Sequence, residues 1–366
     1  MKILLVGEYS NLHWTLAEGL RAVGHHVTVA SNGDFWKNYP RDIDLARKPG
    51  RLGSLTYGAK LLAALPRMRG YDVVQLINPT FLELKAERLF SLYKYLRRHN
   101  TKVFLGAFGM DYYWVHENIT RKPLRYSDFN IGPTLRENRD ALVEQKNWIG
   151  TANERLNRMI AADCDGIAAG LYEYWACYAP LFGPKTRFIP MPIKPKKVEI
   201  APQKGKVRVF IGINSARDAY KGTDIMRRAA EDLQRQFPAQ MELIEVHDLP
   251  FAEYQKRLNN ADILLDQLYS YTPGMNALEA MSRGIVAVGG GEPENYAILH
   301  EPELRPIINV MPNYESVYNA LKEAITHPAR LQKMKAESVE YIRKHHDYRT
   351  VAARYERLYN GQEDNL

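Results

Sequence analysis

Short apolar runs alternate along this chain with segments whose apolar residues recur every three to four positions. The runs ILLVG, DVVQLI and DILLDQL lack the in–out alternation of a half-exposed strand. They suit strands of a parallel sheet covered by helices on both faces. The pattern predicts strands at 3–7, 26–31, 72–78, 103–107, 166–169 and 187–191, and again at 207–212, 241–246, 262–268, 285–288 and 307–310. Strands separated by helical stretches imply βαβ units with right-handed crossovers. The expected class is α/β, with doubly wound sheets.

A break interrupts this alternation at 183–206, where Pro184, Pro190, Pro192, Pro195 and Pro202 stand among several lysines. Such a composition continues neither a helix nor a central strand, so it reads as an interdomain linker. The division expected is 1–193 and 194–348. Near the end, the spacing of Leu331, Met334, Tyr341 and Ile342, then Val351, Tyr355 and Leu358, predicts two helices separated at 345–348.

A length of 366 residues fits two domains at roughly 100–200 residues each. A hydrophobic share of 45% with 25% charged residues is that of a globular protein with a sizeable core. No apolar run approaches the roughly 18 residues of a membrane span, and MKILLVG is too short for a secretory signal and reads as a first buried strand. Cys164 and Cys177 form neither a disulfide framework nor a metal set, which suits a cytoplasmic setting.

The net charge of +8 lies wholly in the first half: residues 1–193 hold 26 Lys and Arg against 18 Asp and Glu, whereas 194–366 hold 24 of each. The excess concentrates in 37–69, where Lys37, Arg41, Arg47, Lys48, Arg51, Lys60, Arg67 and Arg69 face only Asp42 and Asp44. Within it Leu55, Ala59, Leu62 and Leu65 are spaced as one apolar helix face. A basic stripe of this kind meets an anionic surface or a phosphorylated substrate, or simply solvates a loop. The same face also suits packing on the first domain's sheet.

Two motifs carry chemistry. Lys221-Gly222-Thr223-Asp224 follows the run VRVFIG and the loop INSARDAY. Thr223 reads as the cap of a helix whose dipole and neighbouring ammonium would attract an anion together; the plainer account is a capped helix with a surface lysine. The stretch 271–294, YTPGMNALEAMSRGIVAVGGGEPE, reads as a Gly-containing loop, a short helix with one carboxylate, a Gly stop and a buried strand. Asn276 and Glu279 are also spaced as a capping box, which alone accounts for the glutamate.

Together, VRVFIG…YKGTDIMRRA and ADILLDQ…GMNALEAMSRGIVAV, spanning 207–288, resemble the C-terminal half of a GT-B glycosyltransferase of retaining family 4. The resemblance implies two Rossmann-like domains facing a cleft and a closing helix, 349–366, that returns to the first domain. It further implies a nucleotide-sugar donor held by the second domain. Lys221 takes the place of the family's phosphate-binding lysine, and Glu279 that of its ribose-binding glutamate. Gly212, Asn214, Ser215, Arg217, Gly274, Met275, Asn276 and Ala277 complete the expected donor site. In the acceptor-side domain Asp111 matches the aspartate of a His-Gly-x-Asp motif, and Glu8, Asn11 and His13 are polar groups at the first strand's carboxyl end.

Three positions depart from the family pattern. Tyr271 stands where a second glutamate is usual, Ile213-Asn214 where an arginine is usual, and Phe108 where a histidine is usual. No glycine pair follows the first strand. Asp42-Ile43-Asp44 and Asp163-Cys164-Asp165 match DxD without the strand context that metal motif needs, and His25-His26 and His345-His346 lack zinc spacing. No GxGxxG follows either first strand, which disfavours a dinucleotide oxidoreductase.

The reading is a metal-independent, retaining hexosyl- or glycosyltransferase of cell-surface glycan or glycolipid synthesis. It requires no cofactor. Its partners would be the nucleotide-sugar donor, a glycan or lipid-linked acceptor and an anionic membrane touched peripherally at the inner face, but no nucleic acid. The rivals are a sugar-nucleotide epimerase of the same fold and a silent nucleotide-binding subunit of a transferase complex.

Overall fold

The computed structural model describes residues 1–213 and 218–362. The chain divides into two compact units. The first comprises Met1–Pro123, Val143–Pro192 and the chain from Tyr348 onward; the second comprises Leu124–Leu142 and Ile193–Asp347.

The first unit is built on seven strands: β1 (Lys2–Val6), β2 (His26–Ser31), β3 (Ile43–Asp44), β4 (Val73–Leu76), β5 (Lys102–Ala107), β8 (Gly166–Ala169) and β9 (Thr186–Phe188). All pair in parallel, in the order β3-β2-β1-β4-β5-β8-β9. The apolar runs occupy its centre: Ile3 to Val6, Val73, Val74, Leu76 and Val103 to Leu105 are all buried. Full burial of each such side chain stabilises by about 1.5–3 kcal/mol. The winding reverses between β1 and β4, which makes that junction a topological switch point.

The helix Tyr348–Asn360 packs within this unit against the helix Leu12–Ala22. Gly19 permits the approach, since a Cβ there would lie 2.2 Å from the Tyr348 carbonyl oxygen. Tyr359 donates to Gln75 Oε1 at 2.7 Å and Arg354 to the Phe188 carbonyl at 3.0 Å, both buried.

The second unit holds four parallel strands, β10 (Val207–Ile213), β11 (Met241–His247), β12 (Ile263–Leu265) and β13 (Val286–Val288), in the order β11-β10-β12-β13. Its winding reverses between β10 and β12. Of the strand expected at 307–310, only an isolated parallel bridge from Ile308 to Val288 forms. Pro306 and Pro312 bracket that run and remove ladder donors at both ends.

One segment sits elsewhere than its place in the chain suggests. Residues 124–142, assigned by the sequence to the first domain, pack with the second unit. They carry a two-stranded antiparallel hairpin, β6 (Asn130–Ile131) and β7 (Thr134–Leu135), turning at Gly132-Pro133. Two-residue strands leave no hydrophobic period to read, and the bonds from flanking Asp128 and Arg136 that tie the segment to the second unit go to Tyr220, over 80 positions away.

Candidate functional site

Ligands of open α/β sheets bind outside the carboxyl ends of strands where the winding reverses. In the second unit that place lies after β10 and β12, and several expected residues gather there. Gly212 lies at the end of β10, where a Cβ would come within 2.4 Å of the Tyr254 ring. Asp266, directly after β12, is buried and accepts from Asn276 Nδ2 at 2.8 Å; the same amide reaches the Tyr254 hydroxyl at 3.0 Å. Burial raises the Asp266 carboxyl above the ordinary range, and the nearby Lys221 ammonium opposes that rise.

Lys221 ends the short turn Asp218–Lys221, and its carbonyl accepts from Leu268 N at 3.0 Å. Gly222 follows with φ 73 and caps the helix Thr223–Gln236. This close approach to the loop after β12 requires glycine, because a Cβ would lie 2.7 Å from Leu268 Cβ. Thr223, expected as the cap, is instead the buried first helical residue. Asn214, Ser215 and Arg217 lie outside the described residues.

The capping box is also corrected. The helix Met275–Met281 starts after Gly274 with no side-chain cap, so Asn276 is its second residue and Glu279 its fifth. Glu279 binds Arg283 at 2.6 Å and Lys196 at 3.6 Å. Gly274, Met275, Asn276 and Glu279 remain partly exposed, whereas Ala277 is buried. Tyr271 does not replace a glutamate chemically. Its ring is buried against Tyr126, and its hydroxyl accepts from Arg125 N at 2.7 Å.

In the first unit the switch point lies after β1 and β4, and its polar groups are largely engaged by their own loop. The Glu8 carboxyl accepts from His13 N at 3.1 Å and Trp14 N at 2.9 Å, capping the helix that Asn11, at φ 67, leaves uncapped. Burial pushes Glu8 up to about 8. His13 Nδ1–H donates to the Gly7 carbonyl at 2.8 Å, and burial pushes the ring down to about 3, so it stays neutral. His13 Nε2 and Asn11 Oδ1 are buried without partners.

Asp111 differs from its expected role. It is wholly buried and caps the helix Tyr112–Ile119, accepting from Trp114 N at 2.8 Å and the Tyr178 hydroxyl at 2.7 Å. Burial pushes it up to about 7. With both oxygens satisfied internally, it presents no group to a sugar hydroxyl. Phe108 is likewise buried. The DxD pairs are ion-paired: Asp42 with Arg21, Asp44 with Arg41 and Lys60, and both Asp163 and Asp165 with Arg97.

Sequence reasoning missed Asp266 and Tyr254. A carboxylate closing the buried run ILL was a readable signal for the first; nothing local marks the second.

No protein-family model matches the sequence, and no curated protein matches it. Solved structures do. Anabaena HepE in complex with UDP-glucose aligns over 99% of this chain and 100% of its own, at 11% identity and a TM-score of 0.59. Sucrose-phosphate synthase from Thermosynechococcus elongatus aligns over 99% of both chains, at 14% identity and 0.60. The catalytic domain of starch synthase IV from Arabidopsis thaliana, bound to ADP and acarbose, also covers 99% of both, at 10% and 0.60. The fold is GT-B. Its two Rossmann-like domains account for the paired parallel sheets. Among the described residues, no helix of this GT-B chain is long and apolar enough to cross a membrane.

Proposed function

We propose that this chain is a glycosyltransferase that moves a sugar from a nucleotide-sugar donor to a glycan or lipid-linked acceptor, with retention. The single observation that carries the reading is the gathering of Lys221, Gly222 and the Asp266–Asn276 pair at the switch point of the second sheet. Lys221 and the amino end of the helix Thr223–Gln236 would hold the diphosphate and stabilise its negative charge on departure, with Arg217 as helper. Glu279 would accept from the ribose hydroxyls, and the backbone of 274–277 would face the phosphate or the donor sugar. That HepE is seen with UDP-glucose and starch synthase IV with ADP supports a nucleotide-sugar donor for this fold. Retention and family 4 membership follow the sequence resemblance.

The acceptor side falls to the first unit, where His13 Nε2 and Asn11 Oδ1 are buried acceptors without partners. A peripheral contact with an anionic membrane is supported by the stripe 37–69. Ala59 and Leu62 of the expected apolar face are exposed, Leu62 at 68%, rather than packed on the sheet, while Leu65 is half-buried. The Leu55 side chain lies outside the described residues. Phe35 and Trp36, at 62% and 65%, add two more exposed apolar groups.

A second reading, the silent subunit, is favoured by the internal engagement of Tyr271 and Asp111. Incubating the purified chain with UDP-, ADP-, GDP- and dTDP-sugars separates the readings. Release of nucleoside diphosphate with a glycoside or free sugar is the expected result. Binding without turnover means a silent subunit, an epimerised sugar nucleotide means an epimerase, and no binding removes the proposal.

A further inference from the structure

The segment 124–142 reaches the loop after β12 and the turn Asp218–Lys221 of the second unit. At one end Arg125 pairs with Glu292 at 2.5 Å, and its backbone N–H reaches the Tyr271 hydroxyl. At the other it grips the residue immediately before Lys221. Arg136 Nη2 donates to the Tyr220 carbonyl at 3.2 Å, and its guanidinium lies 3.5 Å from the centre of the Tyr269 ring. The Tyr220 hydroxyl donates to Asp128 Oδ2 at 2.7 Å, and the Tyr220 side chain is buried.

The turn Asp218–Lys221 is four residues long, far below the roughly 12–15 at which a helix holds itself in water. Its position must therefore come from tertiary contacts. One of these is the Lys221–Leu268 backbone bond. Further contacts come from the segment 124–142, which holds Tyr220 by its carbonyl and its hydroxyl. Where Tyr220 is held, the Cα of Lys221 and the reach of its ammonium follow. An error of about 1 Å in placing a reacting or binding group costs about 100-fold.

We propose that Arg136 and Asp128 are positioning residues for Lys221, so that diphosphate binding depends on a strap supplied by residues 124–142. This rests on the reading of Lys221 as the diphosphate-binding cation. Arg136 acts through the turn and not on the phosphate itself, because its guanidinium is committed to the Tyr220 and Ser127 carbonyls and to the Tyr269 ring. The strap thus belongs functionally to the nucleotide domain, although it lies in the chain between helices of the acceptor-side unit.

Calorimetry with UDP, ADP and GDP beside uridine, adenosine and guanosine tests this in the full chain. For the base that binds, Arg136→Ala should weaken the diphosphate by about 10-fold, a coupling of ordinary size for neighbouring residues, and leave the nucleoside within about twofold. Added to Lys221→Ala, it should cost almost nothing more, since its effect runs through that lysine. Tyr220→Phe removes the Asp128 tether and should give a smaller loss of the same selectivity; it serves if Arg136→Ala does not fold. Additive losses in the double variant, equal weakening of nucleoside and diphosphate by Arg136→Ala, or no change in either variant would overturn the proposal. If Lys221→Ala itself fails to distinguish diphosphate from nucleoside, the reading of Lys221 falls, and the strap's role falls with it.

Discussion

Asn276 gives its side-chain amide to Asp266, at 2.8 Å from Oδ1, across the loop that follows β12. The bond fixes the start of the helix Met275–Met281 against the carboxyl end of the strand. It also shows that Asn276 is no helix cap, so Glu279 is released from the return half of a capping box. Glu279 keeps only partly exposed ion pairs with Arg283 and Lys196, and such pairs contribute about 0–1 kcal/mol.

The donor assignment therefore has a selective signature. Lys221→Ala should weaken nucleoside diphosphate by about 10- to 100-fold, the worth of a hydrogen bond to a charged group, and spare the nucleoside. Glu279→Gln should weaken both, because ribose is common to them, with little change in melting temperature. Calorimetry with thermal unfolding checks both. Full nucleotide affinity in the Gln variant would remove the ribose role.

Asp111 should behave as a structural residue. Asp111→Ala removes a cap worth about 0.5–2 kcal/mol and the acceptor of the buried Tyr178 hydroxyl, which keeps Asn157 as a partner, so the lost bond costs about 0.5–1.5 kcal/mol more. Asp111→Asn keeps the cap and should recover part of that stability. Urea unfolding measures it, and nucleotide affinity should not change. A stable Asp111→Ala chain that binds donor but cannot transfer would restore the residue to chemistry.

Glu8 sets a dependence on pH. Burial raises its carboxyl from 4.5 to about 8 in the folded chain, so the folded state holds a proton that the unfolded state releases. The resulting stabilisation is complete below pH 4.5 and is lost as pH rises through 8. Relative to Glu8→Gln, which cannot ionise, the wild type should lose stability steadily across that window. Denaturant titrations at several pH values give the difference. A flat difference would mean that the two backbone donors, from His13 and Trp14, outweigh burial.

The membrane contact predicts flotation with anionic vesicles and not with neutral ones. Each basic residue near such a surface adds about 1 kcal/mol, and salt screens it. Recovery should fall with added salt, with neutralisation of Arg47, Lys48 and Arg51, and with Leu62→Asp. Equal recovery on neutral and anionic vesicles would leave the stripe as ordinary surface.

The sequence by itself determined the class of the fold and most of its strands. Runs such as ILLV and VVQL become strands buried on both faces because hydrophobic period is a property of near neighbours. It also marked Lys221-Gly222, since a glycine before a helical stripe is a local signal. It did not reveal that Asp111 is a sealed cap, that Asn276 serves Asp266, or that residues 124–142 leave the unit their position suggests. The first and last depend on partners far along the chain, Tyr178 for Asp111 and Tyr220 for Arg136, and the second on how the loop after β12 folds back. Periodicity tells a side chain which face of its own element it occupies. Only the packing of remote elements decides which buried donor or acceptor it meets there, because each such group must find a partner among whatever the tertiary fold brings within hydrogen-bonding distance.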